Sequence, residues 1–268
     1  MQTNSFDRET LLKIVPSEEV LYKEYSFQEY VHFCIELEEE ITSTEHELRQ
    51  HYETSQLFRR DIEKWPRSYH DFRKYFFIEM KPLRFLLQGA FQNSEYQEVK
   101  FEKNDKSYDA VIKNGHGLIK IEFTSAVDHQ LNQLAMEALA QDPVVFVSLN
   151  ATELPKYQGT KRNRKFLKRD NLIATDVMES WDKHYRLIME AIQRKSHEKW
   201  RGVVLGVVFD DLMPSLGTEY DQEEFIKYVV LPLQRELSPD SWSYFREIYL
   251  IGMHGLFIYK LNGGAGGS

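Results

Sequence analysis

The stretch that decides the predicted fold of this chain is Gly117-Leu-Ile-Lys-Ile-Glu-Phe-Thr-Ser125. Apolar and polar residues alternate along most of it, and a period of two predicts a β-strand that packs on one face. The core face would hold Ile119, Ile121 and Phe123. The opposite face would hold Leu118, Lys120, Glu122 and Thr124, so it presents an amine, a carboxylate and a hydroxyl in a row.

A second strand is predicted immediately upstream. Residues 107–113 also alternate, and Asn114-Gly115 is a strong hairpin signal because both residues tolerate positive φ. The hairpin would bring Asp109 close to the level of Lys120 and Glu122 on one face. Two ionised carboxylates about 4 Å apart repel by roughly 4 kcal/mol at an effective dielectric constant of about 20, so such a pair needs a shared proton or a cation, for example a divalent metal. The alternative is an ordinary solvated hairpin face on which Lys120 offsets Glu122.

The segments on either side predict further parts of a sheet. Residues 96–102 are typical of a strand, residues 128–140 have helical spacing, and residues 143–149 are typical of a buried strand. A strand, a helix and a strand of this length predict a right-handed crossover.

A long helix is predicted upstream of these strands, over residues 68–91. Glu79 lies inside its apolar stripe, where a carboxylate is costly unless it has a partner. Pro82 should kink this helix just after Glu79 and so re-aim the carboxylate.

This order of elements, with Asp109 on the second strand and Glu122 on the third, resembles the core of the PD-(D/E)XK nuclease-like superfamily. The resemblance covers about residues 68–150 and implies a restriction-endonuclease-like α/β fold. It also implies that Asp109 and Glu122 bind Mg²⁺ or Mn²⁺. Glu79 would add a carboxylate from the helix, and the backbone carbonyl of Phe123 would complete the ligand set.

The chain departs from the family pattern at Thr124, where the resemblance leads us to expect a lysine that assists the attacking water. Lys120 is the first candidate to replace that lysine, and Lys100 and Lys113 on neighbouring strands are the others. Alternatively, the site has lost its chemistry, and the fold binds nucleic acid or a protein partner without cleavage. The distinction matters because a threonine hydroxyl offers a hydrogen bond worth about 1 kcal/mol and no positive charge.

Composition limits the remaining possibilities. A chain of 268 residues with 42% hydrophobic content can bury one large core, or a core and a small helical lobe. The net charge of -8 argues against nucleic-acid affinity over the whole surface. The single cysteine, Cys34, excludes disulfides within the chain and is expected in the core. No signal peptide or long apolar run is evident, so a cytoplasmic location without membrane contact is expected.

We expect three regions along the chain. Residues 1–66 would form an N-terminal helical extension, and residues 67–262 a nuclease-like α/β domain with a mixed central sheet flanked by helices. Residues 263–268 are typical of a linker or an added tail.

One stretch, residues 156–169, is strongly basic and contains no acid. Its cations are Lys156, Lys161, Arg162, Arg164, Lys165, Lys168 and Arg169. In an acidic chain this pattern favours binding to a phosphate backbone, with Tyr157 and Phe166 available to stack on bases. The alternative is a solvated loop.

Two weaker candidates accompany the main site. Asp210 and Asp211 follow a predicted buried strand over residues 201–209 and rank second as a metal site, although aspartates at such junctions more often cap turns. His129 would lie near Glu122 if the helix over residues 128–140 starts there.

The sequence therefore predicts a Mg²⁺- or Mn²⁺-dependent nuclease that cleaves DNA, in restriction, repair or phage defence by analogy alone. A helicase or ATPase partner subunit and a homo-oligomer are compatible with this interpretation. The first alternative is a degenerate nuclease-like subunit that binds without cleaving. A second alternative is an interaction protein that uses the acidic helix face at residues 36–40.

Overall fold

The computed structural model describes residues 4–53, 66–92, 96–102, 108–114, 117–127, 157–160, 163–166, 177–211 and 222–261. These residues form a mixed α/β structure whose centre is a seven-stranded sheet. The helix predicted over residues 128–140, with His129, and the strand predicted over residues 143–149 lie outside the described residues, as do residues 263–268.

Strands form at the predicted stretches 96–102, 107–113, 117–125 and 201–209, and the structure adds strands at residues 24–26, 157–160 and 163–166 that the sequence does not predict. The strands are β1 (Glu24–Ser26), β2 (Tyr96–Phe101), β3 (Ala110–Asn114), β4 (Gly117–Ser125), β5 (Tyr157–Thr160), β6 (Asn163–Phe166), β7 (Val203–Phe209), β8 (Phe245–Gly252) and β9 (Ile258–Leu261). The large sheet has the order β1-β2-β3-β4-β7-β8-β9, and β5 and β6 form a separate two-stranded sheet. The strands β4, β7 and β8 run parallel, whereas the outer strands pair antiparallel.

The position of β4 in the sheet differs from the simplest interpretation of the sequence. Both of its edges are paired, to β3 on one side and to β7 on the other. Among the described strands, the parallel neighbour of β4 is therefore β7. The β3–β4 hairpin is confirmed, with Asn114 paired to Gly117.

The helices cover both faces of the sheet. They are α1 (Asn4–Ile14), α2 (Glu18–Leu21), α3 (Phe27–Glu53), α4 (Arg67–Tyr75), α5 (Lys81–Gln88), α6 (Val177–Lys195), α7 (Gln222–Phe225), α8 (Leu231–Glu236) and α9 (Pro239–Ser243). A π-helical turn, Phe76–Met80, joins α4 to α5, and a second one, Ile226–Val230, joins α7 to α8. A 3₁₀ turn, Glu198–Trp200, follows α6.

Two hydrophobic cores lie on opposite faces of the sheet. The helices α1, α3, α4 and α5 pack over Ile119, Ile121 and Phe123 of β4, which confirms the predicted core face. The helices α6 to α8 pack on the other face, where Trp181 and Phe225 are buried. On that face Glu122 and Thr124 of β4 contact α6.

The N-terminal segment shares the first core with the rest of the chain. β1 adds an edge strand beside β2, and the hydroxyl of Tyr30 on α3 donates a hydrogen bond to the carbonyl of Met80 at 2.7 Å. The helix α3 begins directly after Ser26, because Ser26 and Glu29 exchange backbone-to-side-chain hydrogen bonds of 2.9 and 3.3 Å in a capping box.

A π-helical turn lies just before Pro82, at the point where the sequence predicts a kink. Proline has no amide proton, so the carbonyl of Ile78 loses the donor that an α-helix would supply four residues later. The amide of Lys81 instead donates to the carbonyl of Phe76, five residues back, and the helix continues as α5. Such turns are frequent at functional sites, and Glu79 lies on this one.

Candidate metal centre

The polar site lies at an opening where β3 and β4 separate. The amide of Asp109 donates to the carbonyl of Ile121 at 2.9 Å, which is the last backbone bond of this ladder. One step further, the carboxylate of Asp109 accepts the amide of Phe123 at 2.6 Å. The carboxylate of Asp109 thus takes the place of a backbone carbonyl as the hydrogen-bond acceptor, and this bond holds Asp109 against β4.

The carbonyl of Phe123 faces the same opening. Within an extended strand the amide and the carbonyl of one residue point to the same side, and the amide of Phe123 points to Asp109. The amide of Ala126 points to the opposite side of the strand, because it donates to the carbonyl of Val208 on β7 at 2.8 Å. The direction of the strand therefore suits the ligand role that the resemblance implies for the Phe123 carbonyl.

Glu122 is the most deeply buried acid of the opening, with 4% of its surface exposed. Its carboxylate forms an ion pair with the amine of Lys195, at the end of α6. Burial first, and then the charge of Asp109, raise the pKa of Glu122 to about 7, although Lys195 opposes the shift. Burial also raises the pKa of Asp109, and hydrogen bonds from the Phe123 amide and from Glu122 oppose it. The carboxyl groups of Asp109 and Glu122 are thus close enough to affect each other's pKa, and the sequence predicts this proximity.

Glu79 lies on the π-helical turn, which packs against β4, and it interacts electrostatically with both acids. Burial raises its pKa to about 8, and the charges of Asp109 and Glu122 add to the effect. No salt bridge to Glu79 occurs within the described ranges. In this part of the chain, one oxygen from each of the three acids does not fit within 4.8 Å of the other two. Asp109 and Glu122 are within hydrogen-bond reach of each other, whereas Glu79 interacts with both through charge alone.

The opening has an excess of negative charge. Among the described cations only Lys195 contacts one of its carboxylates, so three acids share one contacting amine, and Lys74 and Lys199 act on them at longer range. Such a deficit is resolved either by protons, which the raised pKa values of Glu79 and Glu122 allow, or by a divalent cation. Clustered carboxylate and carbonyl oxygens are the ligands that Mg²⁺ prefers.

The lysine that contacts Glu122 comes from a distant part of the chain, and no sequence spacing predicts it. Lys120 lies on β4 as predicted, but its side chain is exposed and its amine is 5.0 Å from the ring centre of Tyr108. Lys113 pairs with Glu24, and Lys100 lies 3.8 Å from Glu102. The amine against Glu122 belongs to Lys195, 73 residues later. No sequence signal apart from its basic helix end would have found it.

Thr124, at the position where a lysine is expected, also receives a cation from α6. The guanidinium of Arg194 donates to the hydroxyl of Thr124 at 2.9 Å and to the carbonyl of Ser125 at 3.2 Å. The end of α6 therefore supplies positive charge to two polar positions of β4.

Tyr75 contributes a hydroxyl near the acids. Its oxygen is buried and has no hydrogen-bond partner among the described residues. Burial raises the pKa of Tyr75, and the charges of Glu79 and Asp109 raise it further. The phenol therefore stays protonated and remains available as a donor.

The second candidate, Asp210 and Asp211, has a structural explanation. Ligand atoms of these residues and of His254 lie within 4.8 Å of one another. However, Asp211 accepts the amide of His254 at 2.8 Å and that of Leu256 at 2.9 Å, so both of its oxygens hold the turn between β8 and β9. Asp211 also packs so closely on Gly252 that an added Cβ would overlap its carboxylate.

The predicted nucleic-acid-binding cations fall largely outside the described residues. Arg164 and Lys165 lie on β6, paired with β5. The other cations proposed for this role, Lys161, Arg162, Lys168 and Arg169, are outside the described ranges. The role of the basic stretch stays a prediction.

Comparison with known proteins adds no relative. No protein-family model matches the sequence, no curated protein matches it, and no solved structure matches the fold. Within the described ranges no helix combines the length and the apolar character needed to cross a bilayer. The function is therefore inferred from the site itself.

Proposed function

We propose that this protein is a Mg²⁺- or Mn²⁺-dependent nuclease that hydrolyses phosphodiester bonds in DNA. The observation that carries the proposal is that Asp109 lies across from Glu122 at the end of the β3–β4 hairpin, held there by the Phe123 amide, with Glu79 within electrostatic reach of both. A structural ion pair would need one carboxylate for one amine. Here three buried or half-buried acids share a single contacting lysine among the described residues.

The architecture is consistent with a restriction-endonuclease-like core. A helix, an antiparallel meander of β2, β3 and β4, and the parallel strand β7 follow in order, with α6 packed against β4 and β7. In such a core the acids on the second and third strands of the meander hold the metal. In this chain Asp109 directly precedes the second strand, β3, and Glu122 lies on the third, β4.

The donors present fit the proposed metal. The carboxylates of Asp109 and Glu122 and the carbonyl of Phe123 would hold it, and Glu79 would complete the ligands directly or through water. When bound, the metal would polarise the phosphate and lower the pKa of a water molecule.

The chain's own cations support the same chemistry. The amine of Lys195 lies against Glu122, where it can stabilise negative charge that develops on the phosphate. In this proposal Lys195 replaces Lys120 as the lysine of the catalytic site. The guanidinium of Arg194, bound to Thr124, keeps a second positive charge beside the strand.

The runner-up is a nuclease-like subunit that binds nucleic acid or a protein partner without cleavage. The observation that favours it is the threonine at position 124, whose hydroxyl is already engaged by Arg194. A helicase or ATPase partner, self-association and a role in restriction, repair or phage defence remain proposals that depend on the activity being present.

Cleavage assays on linear duplex, circular plasmid and single-stranded DNA, each in Mg²⁺, Mn²⁺ or EDTA, test the proposal. We expect metal-dependent cleavage that falls by about 100-fold or more in Asp109→Asn and Glu122→Gln, since loss of a preorganised charge contact costs roughly 3 to 4 kcal/mol of barrier. Glu247→Gln is the matched control, because this carboxylate pairs with Lys260 at 2.7 Å on β8 and β9. Failure of the wild-type protein to cleave any substrate, or cleavage that survives both site substitutions, would overturn the proposal.

A further inference from the structure

The segment that follows Lys195 carries a second amine towards the same opening. Lys199 lies in the 3₁₀ turn Glu198–Trp200, and its amine is 4.3 Å from the ring centre of Trp200. The amine of Lys195 lies 4.2 Å from the same ring. Each distance is within the range of a cation–π interaction. One indole therefore holds two amines beside Glu122.

The two amines have different partners. Lys195 is half-buried and pairs with Glu122. Lys199 is exposed, and within the described ranges it forms no salt bridge. Glu198, its neighbour, is occupied by Arg201 through hydrogen bonds of 2.7 and 2.8 Å. Among the described residues, Lys199 is thus an oriented cation whose charge is not neutralised by a contacting acid.

Lys199 also lies within electrostatic reach of the acids. Burial raises the pKa of Asp109 and of Glu122, and the charges of Lys195 and Lys199 oppose this rise at both residues. Because the Lys199 amine shares the Trp200 ring with Lys195, and Lys195 contacts Glu122, the Lys199 amine lies on the same side of the sheet as Glu122. Trp200 is itself half-buried and covered by the two amines, so it serves as their support rather than as a platform for a base.

A phosphate is the ligand that this arrangement suits. A phosphodiester that approaches three carboxylates needs compensating positive charge, and lysine binds phosphate as a point charge without a fixed geometry. In a chain with a net charge of -8, a local cation is required for any contact with a polyanion.

We propose that Lys199, supported by Trp200 beside Lys195, binds a phosphate of the nucleic-acid backbone at the rim of the opening between β3 and β4. This inference rests on the proposed nuclease function and specifies where the substrate backbone would lie. It differs from the earlier assignment of nucleic-acid binding to residues 156–169, because it names a contact at the site itself.

Equilibrium binding without cleavage tests the proposal. Fluorescence anisotropy of a fluorescein-labelled DNA duplex in EDTA, over a series of KCl concentrations, gives the affinity and its salt dependence for the wild-type protein, Lys199→Gln, Lys199→Arg and Lys227→Gln. Lys227 is the matched control, because it is also exposed and its amine lies 4.7 Å from the ring centre of Tyr228, but it belongs to the π-helical turn Ile226–Val230.

We expect Lys199→Gln to bind about eightfold more weakly at about 0.1 M salt and to reduce the slope of log K against log salt by about 0.9, the values for one lost phosphate contact on duplex DNA. Lys199→Arg should retain the wild-type slope, and Lys227→Gln should change neither quantity. Thermal unfolding of each variant checks that the substitutions leave the fold intact.

The failures of the two proposals are distinguishable. Unchanged affinity and slope in Lys199→Gln, or no measurable binding by the wild-type protein, overturns the phosphate site even if the wild-type protein cleaves DNA. Loss of affinity in Lys199→Gln without cleavage by the wild-type protein supports the phosphate site and overturns only the nuclease activity.

Discussion

Replacing Lys195 by methionine tests the contact that connects α6 to the acids. The side chain of Lys195 is 20% exposed and that of Glu122 is 5% exposed. Removing one partner of a buried pair costs about 3–5 kcal/mol, whereas an exposed pair contributes about 0.2–1 kcal/mol. Discounting the buried value for the partial exposure of Lys195, we expect Lys195→Met to lower the free energy of unfolding by about 2–3 kcal/mol at about pH 8.

The loss should depend on pH in a defined direction. Burial, with the charge of Asp109, raises the pKa of Glu122 to about 7 in the folded protein, above the value near 4.5 expected for the unfolded chain. The folded state therefore binds more protons than the unfolded state between these values, so this group lowers stability as pH rises through the window. At about pH 5.5 Glu122 is largely protonated and needs no amine, and the cost of Lys195→Met should fall below about 1 kcal/mol.

Urea unfolding in EDTA measures these values, and a double-mutant cycle with Glu122→Gln isolates the pair. The glutamine side chain removes the charge that Lys195 offsets, so Lys195→Met should cost little in the Glu122→Gln background at either pH. An equal cost of Lys195→Met in the wild-type and Glu122→Gln backgrounds at about pH 8 would refute the ion pair and, with it, the placement of Lys195 in the site.

Three further predictions concern the site and the core that supports it. Mg²⁺ or Mn²⁺ at about 100 times its dissociation constant should stabilise the wild-type protein by about 2.7 kcal/mol, or about 5–10 °C in Tm by calorimetry, and Asp109→Asn should lose most of this shift; an equal shift in Asp109→Asn would place the metal elsewhere. Cys34 is fully buried and burial raises its pKa to about 12, so a thiol reagent at about pH 8 should label it only as the protein unfolds in urea, and rapid labelling of the native protein would contradict the packing of α3. Tyr75→Phe removes a buried hydroxyl that has no hydrogen-bond partner among the described residues, so it should raise the free energy of urea unfolding by up to about 1 kcal/mol, whereas a loss of stability would show that the hydroxyl is satisfied.

Local patterns in the sequence determined most of the individual elements. The alternation in residues 117–125 and the turn signal at Asn114 predicted β4, its core face and its hairpin with β3, because a period of two and a tight turn are properties of adjacent residues. The capping box at Ser26 and Glu29 fixed the start of α3 for the same reason. The proximity of Asp109 and Glu122 followed directly from the hairpin register.

Tertiary structure alone decided the partners of these elements. The pairing of β4 with β7 and the contact of Lys195 with Glu122 join residues far apart in the chain, and the π-helical turn that carries Glu79 packs against β4 from a third segment. Lys120 is much closer to Glu122 in sequence than Lys195 is, yet the side chain of Lys120 is exposed to solvent. Sequence spacing specifies which side of a strand or helix a residue occupies. The packing of α6 across the sheet specifies which charged side chains come into contact. That packing depends on the complementary shape of two apolar surfaces and not on any local sequence pattern.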